Sequence, residues 1–309
     1  MKRQNVRSHF HCFLIRRRKP ASHYNPQEAL KLAKFSAMAY SDTPDKCLEG
    51  LYPTWNVSDY FENRQECDDF LFDYTKQCMA FSVVHHEHKE IIVSYRGTRG
   101  NKQVIDQVLN ILGKPSVPCG VGGKVQQYFD NVHDRLYFHT KMHVKSMLEK
   151  YPNYTVKFTG HSLGGAAASI TSGSLVKEGI LKRQQVVLYT FGMPRVGNKY
   201  YAEAHDNLVP RSWRVVRDGD KVARFPPCRL MQCSSFNGPY HHKSKVLYTD
   251  SVMMVNSSYR ICNGNEQSNT KCKEHVRPKR GIVDRAMNIH KYYFDIPIGT
   301  YCVDHVLKT

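Results

Sequence analysis

The stretch Tyr154-Thr-Val-Lys-Phe-Thr159-Gly160-His161-Ser162-Leu163-Gly164-Gly165-Ala-Ala-Ala-Ser-Ile170 decides the fold of this chain. Tyr154 to Thr159 alternate as a strand does, and Leu163 to Val176 are rich in the Ala, Leu, Ile and Ser that suit a helix. Between them, Gly160-His161-Ser162-Leu163-Gly164 reads as G-x-S-x-G, the sharp strand-to-helix turn that pushes a serine hydroxyl out of the fold. Strand and helix approach closely there, so glycines are needed, and the serine main chain is strained. A helix beginning just behind Ser162 aims its unpaired N–H groups and its positive end at any oxyanion formed on that serine. Ser162 is therefore the candidate nucleophile.

Composition sets the bounds. The 309 residues suffice for one large α/β domain, and 41% hydrophobic content with 19 Tyr and 14 Phe supports a real core. No apolar run reaches the roughly 18–20 residues of a membrane span. The formal charge is +18, of which seven Lys and Arg (Lys2, Arg3, Arg7, Arg16, Arg17, Arg18, Lys19) fall in the first 24 residues with no acid among them. Residues 1–24 read as a basic disordered tail, and 25–309 as a single domain that stays basic and favours anionic surfaces. Nucleic acid is not the expected partner, because no recognition motif or repeated aromatic-and-basic platform occurs.

Ten cysteines, several at short spacing, and sequons at Asn56, Asn153 and Asn256 point to an oxidising, secretory compartment and a glycoprotein. No cysteine pair has C-x2-C spacing, so no zinc site is expected. His85-His86-Glu87-His88 looks metal-like but falls between two strands and reads as a solvated hairpin turn. The start of the chain conflicts with export. Phe10 to Ile15 is too short for a signal core, and Arg16 to Lys19 stand where a small-residue cleavage site belongs.

Asn25-Pro26-Gln27-Glu28 starts a helix running to about Tyr40, with Asn as cap and Pro first. A low-regularity stretch follows to Asp73. Cys78 to Val84 and Glu90 to Tyr95 read as strands. Gln103 to Leu112 put Val104, Ile105, Val108, Leu109 and Leu112 on one helical face, and Pro115 to Gly123 form a breaker-rich loop. Val125 to Tyr151 make a long helix with Phe129, Val132, Leu136, Val144 and Leu148 inward. Val186 to Phe191 and Ser212 to Arg217 are strands flanking a helix at Lys199 to Asn207. Such alternation predicts an α/β fold, a central and mostly parallel sheet covered on both faces.

A serine needs a histidine to take its proton and a carboxylate to orient that histidine, in the chain order Ser, acid, His. The acid should end a strand, and Arg217-Asp218-Gly219-Asp220-Lys221 is the natural place. Asp218 and Asp220 compete, with Arg217, Lys221 and Arg224 expected to keep either ionised. For the base, pattern alone leaves His241, His242, His275, His290 and His305 open.

Four segments together resemble the class 3 lipases, the fungal-type triacylglycerol lipase family of α/β-hydrolases. They are Tyr95-Arg96-Gly97-Thr98, Gly160 to Gly165, Phe191-Gly-Met-Pro-Arg-Val-Gly-Asn198 and Asp220-Lys-Val-Ala-Arg-Phe-Pro-Pro227. The resemblance, which covers about residues 26–304, implies an α/β-hydrolase fold and selects Asp220. Ile289-His290-Lys291-Tyr292-Tyr293-Phe294 is similar to the family's His-x-x-Tyr-Phe motif and selects His290. It implies an oxyanion hole from the Leu163 N–H and Thr98, and a lid in the helix carrying Val104, Ile105, Val108, Leu109 and Leu112, with Pro115 to Gly123 as hinge. It fits disulfides Cys47–Cys302, tying the first helix to the C-terminus, and Cys262–Cys272. Cys67–Cys78 and Cys228–Cys233 are further candidate pairs, leaving Cys12 and Cys119 unpaired.

Two segments depart from the family pattern. Val125-Gln-Gln-Tyr128-Phe129 stands where Val-His-x-Gly-Phe is usual, and Lys245 and Leu247 replace the Glu and Trp of the H-x-G-x-E-x-W segment after Tyr240-His241-His242. The implied enzyme is a secreted serine hydrolase that degrades lipid esters at a lipid–water interface, with no cofactor and no metal. A basic run before His290 (Lys271, Lys273, Arg277, Lys279, Arg280) favours an anionic interface. The rivals are a phospholipase or a feruloyl or carboxyl esterase on the same scaffold, and, from another class, a catalytically silent lipid-binding relative.

Overall fold

The computed structural model describes residues 23–55, 59–67, 77–99, 116–227, 236–263, 272 and 288–306. Residues 1–22 of the tail read over 1–24, the residues expected as a lid, Val104, Ile105, Val108, Leu109 and Leu112, the pair Cys228 and Cys233, His275, Asn56 and the basic residues Lys271, Lys273, Arg277, Lys279 and Arg280 lie outside them. Tyr24, read as part of that tail, is instead buried in the core, its hydroxyl 2.9 Å from that of Tyr248.

The first helices are α1, Pro26–Met38, and α2, Pro44–Leu51, followed by strands β1, Phe61–Glu66, β2, Gln77–His85, and β3, Glu90–Tyr95. A hairpin of β4, Ser116–Pro118, and β5, Lys124–Gln126, leads into α3, Gln127–Lys150. Then come β6, Thr155–His161, α4, Leu163–Lys177, β7, Val186–Phe191, β8, Gly197–Asn198, α5, Lys199–Leu208, and β9, Ser212–Arg217. The chain continues through β10, Pro239–Tyr240, β11, Lys245–Tyr248, β12, Tyr259–Cys262, β13, Tyr292–Tyr293, β14, Ile296–Pro297, and α6, Tyr301–His305.

Eight strands form one sheet in the order β1-β2-β3-β6-β7-β9-β11-β12. The pairings from β3 to β11 are parallel, and the outer ones are antiparallel. Parallel strands buried on both faces should read as near-continuous apolar runs, and all six residues of β3 and of β7 are buried. Alternate side chains feed two separate cores. Ile91, Val93, Tyr95, Val156, Phe158 and Leu188 pack with α3 and α4, while Ile92, Val187, Tyr189 and Phe191 pack with α1 and the C-terminal segment. Helix α4 is buried through Val176, which its small Gly, Ala and Ser side chains permit. The parallel registers place Tyr95 beside Gly160 and His161 beside Phe191, so the loops leaving β3, β6, β7 and β9 gather at one end of the sheet. In open α/β sheets that carboxyl end is where ligands bind.

Helix α1 begins as its sequence predicts: the Asn25 side-chain oxygen Oδ1 accepts from the Gln27 N–H at 2.9 Å and the Glu28 N–H at 3.2 Å. Other expectations need correction. The stretch read as irregular up to Asp73 contains α2 and β1. Strand β1 is Phe-Glu-Asn-Arg-Gln-Glu, too polar to show a strand period. Its pairing with β2, and the Asn63 amide donating to the Leu136 carbonyl at 2.8 Å, hold it at the sheet edge. Helix α3 starts at Gln127 rather than Val125, because Val125 pairs with Gly197 and the Gln126 N–H donates to the Val196 carbonyl. Its inner face is Phe129, Val132, Leu136 and Val144, with Met147 fully buried and Leu148 only partly so. The segment Pro115–Gly123 was expected as a loose hinge, yet Ser116 to Pro118 pair with Lys124 to Gln126 in a hairpin tied to β8. Cys47 pairs with Cys302, but Cys47 lies on α2, so the bridge joins the second helix, not the first, to the C-terminal segment. Cys67–Cys78 and Cys262–Cys272 are also paired, and Cys119 remains a thiol whose pKa burial pushes up to about 11.

A buried charge cluster fixes α1 against the other end of the sheet. Glu90, 1% exposed, receives the Lys31 ammonium at 2.6 Å and that of Lys157, and Lys157 also reaches Glu28 at 2.6 Å. Burial works to raise the Glu90 pKa, but the two ammonium groups outweigh it and hold the carboxyl below its ordinary 4.5. A carboxyl that ionises lower in the folded than in the unfolded chain stabilises fully above the unfolded value and loses that contribution as pH falls through the folded one. Glu90→Gln should therefore cost about 3 kcal/mol near neutral pH, the scale of breaking a buried pair. Denaturant melts across pH should show its deficit against the wild type shrinking below about pH 4.5; a pH-independent deficit would contradict the assignment.

Candidate active site

Ser162 sits between the last residue of β6 and the first of α4, with φ 56° and ψ −126°. A positive φ is uncommon for a non-glycine residue, and it persists here because the turn is tied on both sides. The Ser162 N–H donates to the Phe191 carbonyl at 2.9 Å, and its own carbonyl accepts from the Gly165 N–H at 3.0 Å. Gly164 explains the motif's second glycine. A Cβ there would run into the Tyr95 carbonyl oxygen and the Arg96–Gly97 peptide. Helix α4 therefore starts in direct contact with the end of β3, which brings its free N–H groups, that of Leu163 first, beside the segment carrying Thr98.

Asp220 lies three residues past the end of β9, fully buried. Its Oδ1 accepts from the Val222 N–H at 2.9 Å and the Ala223 N–H at 3.4 Å. Its Oδ2 accepts from His290 Nδ1 at 2.9 Å and from the Tyr293 hydroxyl at 2.6 Å. Burial alone would raise the Asp220 pKa; the His290 ring, the Tyr293 hydroxyl and the more distant His161 reverse this and hold it below the ordinary carboxylate value. The sequence points to Arg217, Lys221 and Arg224 for that task; the side chains that lower the pKa are instead those of His290, Tyr293 and His161, beside the two main-chain N–H groups on Oδ1. Asp218 stays part-exposed and meets β11 through its N–H to the Tyr248 carbonyl.

His290 is 1% exposed. With Nδ1–H committed to Asp220, Nε2 is the ring nitrogen that must accept, and it is buried with no hydrogen-bond partner among the described residues. Ser162 Oγ is thus not bonded to it in this rotamer. The ring nonetheless lies against the Ser162 turn, 4.4 Å between centroids from the imidazole of His161, its neighbour in sequence. Gly192, at φ +60°, is the floor beneath the pair. A Cβ there would stand 2.7 Å from Asp220 Oδ2 and 2.8 Å from His290 Nδ1. Resting enzymes often leave such a bond long until a substrate arrives. A second orphan lies one residue past Gly97, where a Cβ would stand 2.6 Å from the His161 carbonyl: Thr98 Oγ1 is buried without a partner among the described residues.

The Phe191–Asn198 run binds these loops together. The Arg195 N–H donates to the Phe225 carbonyl at 2.6 Å, and its guanidinium to the Pro226 carbonyl at 2.9 Å and to that of Arg224, which clamps the loop after Asp220. Asn198 Oδ1 accepts from the N–H groups of Lys124 and Tyr201, both at 3.0 Å. Of the other candidate bases, His241 Nε2 bonds to the Ala223 carbonyl at 2.8 Å, and His242 stacks on His205 with Nε2 at 3.0 Å from Ser169 Oγ. The side chains bonded to Asp220 are instead those of His290 and Tyr293. Sequence reasoning gave no role to Tyr293, Gly192 or His161, although all three stood inside quoted motifs.

Two groups among the described residues have metal-ligand composition, His85 with His88 and Glu90, and His205 with Asp206 and His242. In the first, both Glu90 oxygens are already held by Lys31 and Lys157. In the second, the two imidazoles stack face to face at 4.0 Å, so their lone pairs do not converge. Neither arrangement suits a cation. The turn read as solvated is so only from residue 86 onward, because His85 is buried and stacks on Trp55 at 3.8 Å.

The sequence profile of the family Lipase (class 3) matches residues 92–230. Lipase ZK262.3 of Caenorhabditis elegans is 31% identical over 297 residues, 90% of this chain and 81% of that one. The secreted mono- and diacylglycerol lipase 1 of Fusarium solani is 31% identical over 149 residues, 48% of this chain and 43% of its own length. Among solved structures, the Rhizomucor miehei triacylglyceride lipase superposes with a TM-score of 0.66 at 21% identity, covering 89% of this chain and 96% of that one. The fold is therefore that of the fungal lipases, an α/β-hydrolase.

Gly192→Ala tests the packing beneath the pair. A side chain at positive φ costs about 1–2 kcal/mol before any contact, and this one would push the Asp220 carboxylate off the ring. Thermal unfolding should fall accordingly, and the low-field proton NMR signal of the His290 Nδ1–H···Asp220 bond should vanish or move. An alanine variant with both unchanged would show that the floor is not where we place it.

Proposed function

The chain belongs to the class 3 lipase family, and on that premise we propose that it hydrolyses carboxylic esters of lipids, triacylglycerols above all, through an acyl-enzyme on Ser162. One observation carries the reading: a buried carboxylate–imidazole pair at 2.9 Å lies beside a serine held at φ 56° at a helix N-terminus.

In this mechanism Ser162 Oγ attacks the ester carbonyl while His290 Nε2 takes its proton. Asp220 holds the proton of the other nitrogen, fixing the tautomer that leaves Nε2 basic, and stabilises the imidazolium that follows. Its depressed pKa keeps it a carboxylate throughout. The carbonyl oxygen, now negative, takes the Leu163 N–H at the start of α4 and the N–H and hydroxyl of Thr98, a donor left unpaired until that charge forms. His290 then protonates the departing glycerol oxygen, and a water, activated by the same nitrogen, releases the fatty acid.

The setting follows the same reading. Three disulfides among the described residues and the secreted Fusarium relative support an extracellular compartment. The formal charge of +18 supports an anionic lipid–water interface as the preferred surface. Val104, Ile105, Val108, Leu109 and Leu112, which the sequence expects on one face of a helix, would serve as the lid.

The test is an ester panel of emulsified triolein, phospholipid vesicles and short soluble esters. Triolein should be cleaved fastest, with the rate climbing once substrate passes its solubility limit and falling with salt on anionic emulsions. Ser162→Ala should lose turnover and fluorophosphonate labelling with an unchanged melt, and Thr98→Val should lower kcat by about 10²-fold. Phospholipid as the better substrate would transfer the reading to a phospholipase; a wild-type protein that neither labels nor turns over would leave the silent lipid-binding relative.

A further inference from the structure

We propose that His161, the residue before the serine, is a positioning residue that, braced by Tyr40, fixes the main chain and ring of His290 for proton transfer. The proposal rests on the reading of Ser162, Asp220 and His290 given above.

His161 is 5% exposed and has both ring nitrogens engaged. Its Nε2 lies 2.9 Å from the main-chain carbonyl oxygen of His290, and its Nδ1 2.9 Å from the Tyr40 hydroxyl. A carbonyl only accepts, so Nε2 carries the hydrogen, Nδ1 must accept, and the Tyr40 hydroxyl must donate. One tautomer is thereby imposed on His161 by its two partners. The ring faces that of His290 at 4.4 Å and 34°, and the Tyr293 ring stands edge-on at 5.8 Å. Among the described residues, the ionisable groups around the His290 imidazole are Asp220 and His161, with Tyr293 on the same Asp220 oxygen.

Neutrality is what makes such a neighbour tolerable. Burial, and then the nearby His290, push the His161 pKa down to about 3, so it does not compete for the proton that His290 must carry. Tyr40 connects the same unit to the oxyanion side. A Cβ on Gly97 would collide with the Tyr40 hydroxyl and lie 2.6 Å from the His161 carbonyl. Arg99, one residue beyond Thr98, donates to the Tyr40 carbonyl and pairs with Asp42 at 2.6 Å. The end of α1 therefore braces the base, the serine and the Thr98 segment through one phenol and one imidazole. An ordinary core histidine would bond to groups unrelated to the reacting atoms.

The experiment compares wild type with His161→Phe, which keeps a ring without a donor, His161→Gln, which restores an N–H, Tyr40→Phe, and the double Tyr40→Phe/His161→Phe, on a dissolved p-nitrophenyl ester. For His161→Phe we expect a native melt, KM within about twofold and kcat lower by about 10- to 100-fold, the scale of misplacing a catalytic group by an ångström. His161→Gln should recover part of it, Tyr40→Phe should lose less, and the double variant should be no worse than His161→Phe. The low-field Nδ1 proton of His290 should broaden or shift in His161→Phe, a readout independent of turnover. A folded His161→Phe with wild-type kcat and an unmoved low-field proton would overturn the proposal, and so would strictly additive losses in the double variant. Tyr40→Phe, short of a single oxygen, reads the same coupling if phenylalanine disturbs the fold. If the wild type cleaves no ester, the reading of Ser162 fails instead, and the low-field proton still decides the role of His161.

Discussion

Strand β6 and helix α4 meet so closely that no side chain fits between them and β3, and Ser162 and the start of α4 are placed by that contact. Gly160 and Gly164 are the points of approach: a Cβ on either would enter main-chain atoms of the neighbouring segment. Because the helix starts on the strand end, Ser162 takes a positive φ and projects from the turn. Because β3 lies against the first turn of α4, the segment carrying Thr98, whose Oγ1 has no partner among the described residues, comes to the same place. A packing requirement of three elements thus brings Ser162, the start of α4 and the segment carrying Thr98 together.

The other half of the site hangs from neighbouring strands of the same sheet. Phe191 ends β7 and accepts the Ser162 N–H; Gly192, next along, passes under Asp220 and His290 without a side chain to part them. Asp220 is surrounded by donors, two main-chain N–H groups, an imidazole and a phenol, so a carboxylate can remain ionised where water does not reach it. His290 Nε2 and Thr98 Oγ1, both buried without a partner among the described residues, stand apart from this saturation. Buried groups left unpaired cost stability, and on the mechanism proposed above the imidazole nitrogen takes the Ser162 proton while the Thr98 hydroxyl meets the oxygen that becomes negative.

Much of this was legible in the chain, for identifiable reasons. Glycine spacing around Ser162 and the apolar runs of Glu90–Tyr95, Val186–Phe191 and Ser212–Arg217 are consequences of burial on both faces, and burial leaves a strong mark on sequence. Strand β1 and helix α2 left none, since one is polar and paired only at an edge and the other spans eight residues. The choice between Asp218 and Asp220 was not readable from periodicity; a two-residue difference in a turn decides which carboxylate faces inward, and only a family resemblance favoured Asp220. Tyr293, His161 and Tyr40 were invisible as site residues because their roles come from contacts across 73, 129 and 121 positions of sequence.

The account turns on whether the unpaired His290 nitrogen and the unpaired Thr98 hydroxyl serve one event at Ser162. A crystal structure of the protein inactivated by an alkyl phosphonate, a tetrahedral stand-in for the attacked ester, asks this directly. It should show phosphorus bonded to Ser162 Oγ, His290 Nε2 within hydrogen-bonding distance of Oγ or of the leaving-group oxygen, and the phosphonyl oxygen about 2.7–3.1 Å from the Leu163 N–H and from Thr98. An adduct on another residue, or a phosphonyl oxygen turned to solvent with Thr98 still unpaired, would contradict it.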